Sequence, residues 1–256
     1  MNSRQTLPPD LPSIRLRRAD RARQMADVLR RQVMHGVLDR GVLPSEPALA
    51  GDFGVSRNTV REALELLRRE GLVQRIPGVG TVAVQRKYLH GLDQLRGLAE
   101  TLPGPVRNEV RVAGLVEAPA AVAHRLGLTP GEPVTHLERR RFADDLPVSL
   151  DLTYLPADVG QPLLDQDLAG RDVFALLEEL TGRRLGAAEI VLEAVAADRH
   201  SAAILEVPAG APLLMLERLT RLDDGRPVDL EFVRFRGDRI TMRGEVRRIP
   251  EEEINP

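Results

Sequence analysis

The feature that most constrains this chain is an internal repeat. Gly131-Glu132-Pro133-Val134-Thr135-His136-Leu137-Glu138-Arg139, then Asp144-Asp145 and Pro147-Val148, returns as Gly210-Ala211-Pro212-Leu213-Leu214-Met215-Leu216-Glu217-Arg218, then Asp223-Asp224 and Pro227-Val228. Each copy alternates about an acidic turn, the pattern of a β-hairpin. Each also follows a small helix: Ala120 to Leu126 ending at Gly127, and Arg199 to Leu205 running into Pro208. Between the copies, Val173 to Leu180 with Gly182 reads as a further helix, and Glu189 to Ala196 as a strand. Hairpins and helices in this order predict an α+β layer, a mixed antiparallel sheet with helices on it.

Ahead of the repeat the periodicity is helical. Met25, Val28, Leu29, Val33 and Leu38 fall mostly at helical spacing, with Gly36 as a stop. Ser45 can cap a short second helix carrying Ala48, Leu49 and Phe53 and closed by Gly54. Ser56 can cap a third, in which Val60, Ala63, Leu64 and Leu67 form the apolar stripe and Gly71 marks the end. Leu72 to Ile76 and Thr81 to Val84 then alternate on either side of Pro77-Gly78-Val79-Gly80, a hairpin.

A length of 256 residues suits two domains. The expected boundaries are a flexible arm over 1–17, a helical domain over 18–84, a Gly- and Pro-rich linker over 85–109, the repeat domain over 110–248 and a tail over 249–256. Charge divides the chain at the same place: residues 1–84 hold 14 Arg and nine Asp or Glu, a net +5, and the remainder carries −7. A cationic head on an acidic body points to a polyanion as partner of the head, with a solvated face as the plainer explanation. With no cysteine there is no disulfide framework, thiol nucleophile or Cys-based zinc site. No apolar run is long enough for a membrane span, and the N-terminal residues lack a signal peptide's apolar stretch, so a cytoplasmic location is expected.

The five histidines are scattered and nothing resembles a phosphate-binding loop, so neither an enzyme nor a cofactor is expected. The more informative pattern is two short helices about a tight turn, the second opening Arg57-Asn58-Thr59-Val60-Arg61. A helix of this kind fits the major groove, where a guanidinium can read guanine or hold phosphate and an amide can read adenine. An ordinary capped helix with solvated arginines is the bland alternative, and the hairpin after it weighs against that.

The stretches Leu43-Pro44-Ser45-Glu46, Phe53-Gly54-Val55-Ser56-Arg57-Asn58-Thr59-Val60-Arg61-Glu62-Ala63-Leu64, Glu70-Gly71-Leu72-Val73 and Gly78-Val79-Gly80-Thr81 resemble the winged helix-turn-helix of GntR-type bacterial transcription regulators. Leu126-Gly127-Leu128-Thr129-Pro130-Gly131-Glu132-Pro133, Leu137-Glu138-Arg139, Tyr154-Leu155-Pro156, Asp224-Gly225-Arg226-Pro227-Val228 and Arg236-Gly237-Asp238-Arg239 are similar to the UTRA effector domain of the HutC subfamily, which has a chorismate-lyase-like fold. The resemblance implies that Ser56, Arg57, Asn58, Thr59, Arg61 and Arg75 serve DNA binding and that Gly78 and Gly80 form the tip of a wing. Pro47 stands where the family usually has an arginine that helps bind DNA; proline is tolerated in a first helical turn. The turn at Asp144-Asp145 lacks the family's glycine, and the tyrosine usual near Arg234-Phe235 is absent.

In the repeat domain, Arg139 and Arg141 lie two apart on an expected strand and so share a face. The resemblance places an effector's anionic group there, with Asp151 where many members have a ligand-contacting glutamate and Glu231 as its counterpart in the second copy. Two readings stay open: an effector pocket, or a cross-strand salt-bridge cluster of Arg139, Arg141, Asp151 and Glu231. The resemblance thus implies a homodimeric DNA-binding transcription regulator, most often a repressor in this family. Its partners would be a double-stranded operator and a small-molecule effector such as a sugar phosphate or carboxylate. An architectural DNA-binding protein, or a chorismate-lyase-like enzyme, are the alternatives.

Overall fold

The computed structural model describes residues 18–35, 38, 41–84 and 87–246. The expected arm, the stop at Gly36 and the tail lie outside the described residues. The chain forms two compact units that divide between Arg86 and Lys87.

The first unit contains α1 (Arg18–His35), α2 (Glu46–Asp52), α3 (Arg57–Arg69) and a hairpin of β1 (Val73–Ile76) and β2 (Gly80–Ala83). Its helix starts follow from local chemistry. The Ser45 hydroxyl accepts from the Ala48 amide at 3.4 Å, and that of Ser56 from the Thr59 amide at 3.2 Å, satisfying donors that have no intrahelical partner. Gly54 and Gly71 adopt left-handed φ of 60° and 71°, which lets the chain reverse after α2 and α3 without a Cβ clash. Met25, Leu29, Leu49, Val60, Leu67 and Leu72 close one apolar core beneath α3. Burying such side chains contributes on the order of 2 kcal/mol each.

The second unit adds β3 (Tyr88–Gly91), α4 (Leu98–Thr101), β4 (Val106–Glu117), α5 (Ala120–Leu126), β5 (Pro133–Ala143), β6 (Leu146–Pro156), α6 (Ala157–Leu163), α7 (Val173–Thr181), β7 (Leu185–Ala196), α8 (Arg199–Leu205), β8 (Pro212–Leu222), β9 (Pro227–Arg236) and β10 (Ile240–Arg243). The expected linker is corrected here. Residues 87–109 belong to this unit: β3 pairs in parallel with β10, and β4 begins at Val106 as an edge strand. Their glycines and prolines punctuate short elements whose partners are remote in sequence, so local pattern concealed them.

The repeat becomes architecture. The large sheet runs β4-β5-β6-β9-β8-β7, and each copy supplies an edge strand, a helix and a hairpin, the two hairpins meeting at the antiparallel β6–β9 pair. The helices interlock the copies on one sheet face. Val122, Ala123 and Leu126 of α5 pack with Leu219 and Leu230 of the second copy, while Ala202, Ile204 and Leu205 of α8 pack with Leu150 of the first. The opposite face is covered at one end by Val173, Phe174, Leu176 and Leu177 of α7. At the other end Leu98 of α4 and Ile240 of β10 cover it. Among the described residues no helix is long and apolar enough to cross a membrane.

The missing glycine in the first hairpin turn has a visible consequence. Asp144 and Asp145 both hold positive φ, 49° and 60°, the conformation of a two-residue turn that matches strand twist and usually takes Asn-Gly or Asp-Gly. Asp145→Gly is therefore expected to stabilise the protein by about 0.5–1 kcal/mol by relieving the left-handed backbone. Urea midpoints with unchanged slope measure this; a loss of stability would show that the Asp145 side chain outweighs its backbone strain.

Candidate functional site

Two sites emerge, one in each unit. On α3 the apolar stripe turns Val60, Ala63, Leu64 and Leu67 inward, leaving Arg57, Asn58 and Arg61 exposed. Arg57 and Asn58 have no side-chain hydrogen bond or ion pair among the described residues, so their donors are free for a groove. Arg61 donates from Nε to Glu46 at 2.8 Å, which fixes its direction across the α2–α3 turn. Pro47 sits in the first turn of α2 without disturbing the helix.

Thr59 differs from its neighbours. It is 3% exposed, and its hydroxyl lies 2.9 Å from that of Ser56. Both side chains serve the helix cap, which removes Thr59 from the surface and corrects its expected place among the groove contacts. Gly78 and Gly80, with φ of 78° and 121°, form the exposed hairpin tip. Arg75 is exposed beside it, and the cleft between α3 and the hairpin is lined by Arg61, Arg68 and Arg75 together with Glu46 and Glu65, which pair with Arg61 and Arg68. Arg75, with no ion pair among the described residues, is the guanidinium there that suits a phosphate backbone.

The second site lies at the centre of the large sheet. Arg139 stands directly opposite Asp151 across β5–β6, and Arg218 directly opposite Glu231 across β8–β9. Period-two alternation sends all four to one face, and the β6–β9 pairing brings the copies together. Arg141 joins them, its Nε in ion-pair contact with Asp151 and its terminal nitrogens 3.5 Å from Asp172 and 3.8 Å from Glu231. Arg218 donates to Glu231 and stacks 4.4 Å over the Phe174 ring. The four residues expected from sequence are therefore together and buried, and the cross-strand pairing reading describes their mutual contacts.

Pairing is incomplete. Arg139 is fully buried, and among the described residues its nearest acid oxygen is 4.0 Å away and none of its three guanidinium nitrogens has a hydrogen-bond partner. Burial, reinforced by Arg141, pulls its pKa down to about 10. Burial would also lower Arg141, but Asp151, Asp172 and Glu231 raise it above the ordinary value. Burial pushes Asp151 up against the pull of Arg141. It opposes ionisation of Glu231 too, but Arg218, Arg141 and Arg139 hold that acid below the usual range. Asp229 is raised to about 7, by burial first and then by Glu231.

A narrow cavity, with free space for about one water molecule as its side chains stand, opens onto Arg141, Asp151, Arg218 and Glu231 beneath His90 and Leu98. It shares His90, Leu216 and Arg218 with a wider cleft of about 560 Å³ that runs along residues 91–96 to β7. Sequence reasoning missed four titratable or charged groups of this buried layer. Arg218 and Asp229 had a signal, since they stand where the first copy has Arg139 and Ser149; Asp172 had one as the N-cap of the Val173 helix. His90 had none, because its strand partners residues 152 positions away.

Comparison with known proteins follows the same division. The UTRA domain pattern matches residues 104–241, and that of the bacterial regulatory proteins of the gntR family matches residues 21–82. The chain belongs to the UTRA-bearing GntR regulators. It is 30% identical over 225 residues to the HTH-type transcriptional repressor NagR of Bacillus subtilis, covering 85% of this chain and 91% of that one. It is 30% identical over 181 residues to the histidine utilization repressor of Pseudomonas aeruginosa, covering 70% and 72%. The crystal structure of PhnF from Mycobacterium smegmatis superimposes with a TM-score of 0.63 at 25% identity, over 87% of this chain and 99% of that one. The protein is thus a DNA-binding transcription regulator of the effector-controlled GntR–UTRA type, in an α+β fold.

His90 provides a pH test of the site's packing. Its Nδ1 lies 2.9 Å from the Thr101 hydroxyl, and burial, with Arg218 next in effect, lowers its pKa from 6.5 to about 4. The unfolded chain takes the proton first, so this contribution is complete above about pH 6.5 and is lost as pH falls towards about 4. His90→Asn, which keeps a polar atom towards Thr101, should remove on the order of 2 kcal/mol from the stability lost over that interval. Urea unfolding at the two ends measures it; an undiminished loss would assign the acid sensitivity to another group.

Proposed function

We propose that the protein is a homodimeric repressor that binds a two-fold symmetric operator and leaves it when a small molecule with an anionic group occupies the cavity at the centre of the large sheet. The observation that carries the sensing half is Arg139, a fully buried guanidinium with no hydrogen-bond partner, in the same charged layer as the cavity's Arg141 and Arg218. A buried guanidinium without partners is costly, and an anion nearby offsets that cost. The repressor reading is supported by relatives named as repressors. A dimer follows from the operator side, because one helix and wing read only a half-site.

On the operator, Arg57 and Asn58 read bases from the first turn of α3, while Arg75 and the Gly78–Gly80 tip hold the backbone. Replacing Arg57 or Asn58 with Ala is expected to cost about 1–3 kcal/mol on the cognate site and much less on random DNA. Arg75→Ala should weaken binding to both alike and reduce the salt dependence by about one unit of slope. Fluorescence anisotropy across a salt series separates the roles, and equal losses on both DNAs for the Arg57 variant would make it a phosphate contact. Sensing is tested by titrating the operator complex with anionic metabolites. If none changes operator affinity, the anion-sensing part of the proposal fails.

A further inference from the structure

The two repeat copies match in fold but not in charge. Where the first copy sets Arg141 opposite Ser149, the second sets Thr220 opposite Asp229. The inward face of the first copy therefore carries Arg139, Arg141 and Asp151, and that of the second carries Arg218, Asp229 and Glu231. With Asp172 from the start of α7, the buried layer holds three guanidiniums against four carboxyls, and His90, the titratable group facing it from β3, is neutral near pH 7. Asp151 and Glu231 each have an arginine opposite, and Asp172 has Arg141 at 3.5 Å. Among the described residues Asp229 has no arginine in ion-pair contact, although Arg218 and Arg139 act on it from further off. The Thr220 hydroxyl donates to its Oδ2 at 3.1 Å, and its Oδ1 has no partner.

An anion entering the cavity meets Arg141 and Arg218 already engaged by acids, within a layer whose fully ionised sum is negative. Adding charge there is opposed unless a carboxyl loses its own, and Asp229 is the carboxyl without a guanidinium in contact among the described residues, Arg218 and Arg139 acting on it only from further off. We propose that an anionic effector enters the cavity together with one solvent proton, which is taken up by the Asp229 carboxylate to give the neutral acid. The anion settles at Arg141 and Arg218, and no covalent bond forms or breaks except the O–H bond on Asp229. This rests on the effector reading above and adds a pH dependence to it. Burial already brings Asp229 to about pH 7. The direction follows: below about pH 7 the acid holds its proton before the anion arrives and affinity is flat, whereas above it each anion must bring a proton and affinity falls as pH rises.

Sulfate is a suitable probe, because its own charge is constant from about pH 6 to about pH 9. Calorimetry on the full-length protein, at fixed ionic strength in two non-phosphate buffers of different ionisation enthalpy, gives the proton number directly. The expected result near pH 8 is uptake of about one proton per sulfate, with affinity falling up to about tenfold per pH unit above about pH 7. Sites that survive Arg141→Gln lie elsewhere and are subtracted. Asp229→Asn, which can still accept from Thr220, should bind sulfate with no proton uptake and a flat pH profile. Binding without uptake in the unmodified protein, full uptake retained in the Asn variant, or no saturable sulfate binding at any pH overturns the proposal. Operator affinity in the same buffers separates it from the regulatory reading. Sulfate that binds with a proton but leaves operator affinity unchanged supports the proton coupling and counts against regulation by this anion. Release without proton uptake sinks the coupling and supports the regulation.

Discussion

The second unit depends on the antiparallel pairing of β6 with β9. That pairing is where the two copies of the repeat become one sheet, and it brings Asp151 and Glu231 within reach of the same guanidinium. Without it each hairpin would have an open edge and one uncovered face, an arrangement marginal in water. The interlocking of α5 and α8 across the copies has the same origin, since each helix finds its apolar floor on strands of the other copy as well as its own. Like acids are expensive neighbours in a dry interior. Here Arg139, Arg141 and Arg218 offset them, so the sheet centre is held by a charge network whose members constrain one another.

In the DNA-binding unit the controlling interaction is smaller. The Ser56 cap fixes where α3 begins, and the start of a helix decides which residues of its first turn point outward. Shifting that start by one residue would rotate Arg57 and Asn58 by about 100° and bring the polar face onto the core. The Glu46–Arg61 bond links the same turn to α2, and Pro47 leaves intact the acid that orients Arg61.

Much of this was legible in advance. The caps at Ser45 and Ser56, the stops at Gly54, Gly71 and Gly127, and the helices Ala120–Leu126 and Arg199–Leu205 obey rules that act over four residues, and the structure has them at those places. Alternation placed Arg139 and Arg141 on one face for the same reason. What escaped was held by distant partners. β3 exists because β10 offers it a parallel edge. Thr59 was misjudged because a polar residue in a recognition helix suggests a groove contact, whereas its hydroxyl is taken by the cap.

By itself the sequence determined the elements, the division into a basic head and an acidic body, the repeat and the family, because capping, periodicity and motif spacing are properties of short stretches of chain. Only the tertiary structure decided that Arg139 is left without a hydrogen-bond partner and Asp229 without an arginine in ion-pair contact among the described residues. The repeat sets an arginine opposite an acid in each copy. Which of these charges are satisfied depends on burial and on distances across four strands, and both are settled only when the sheet closes.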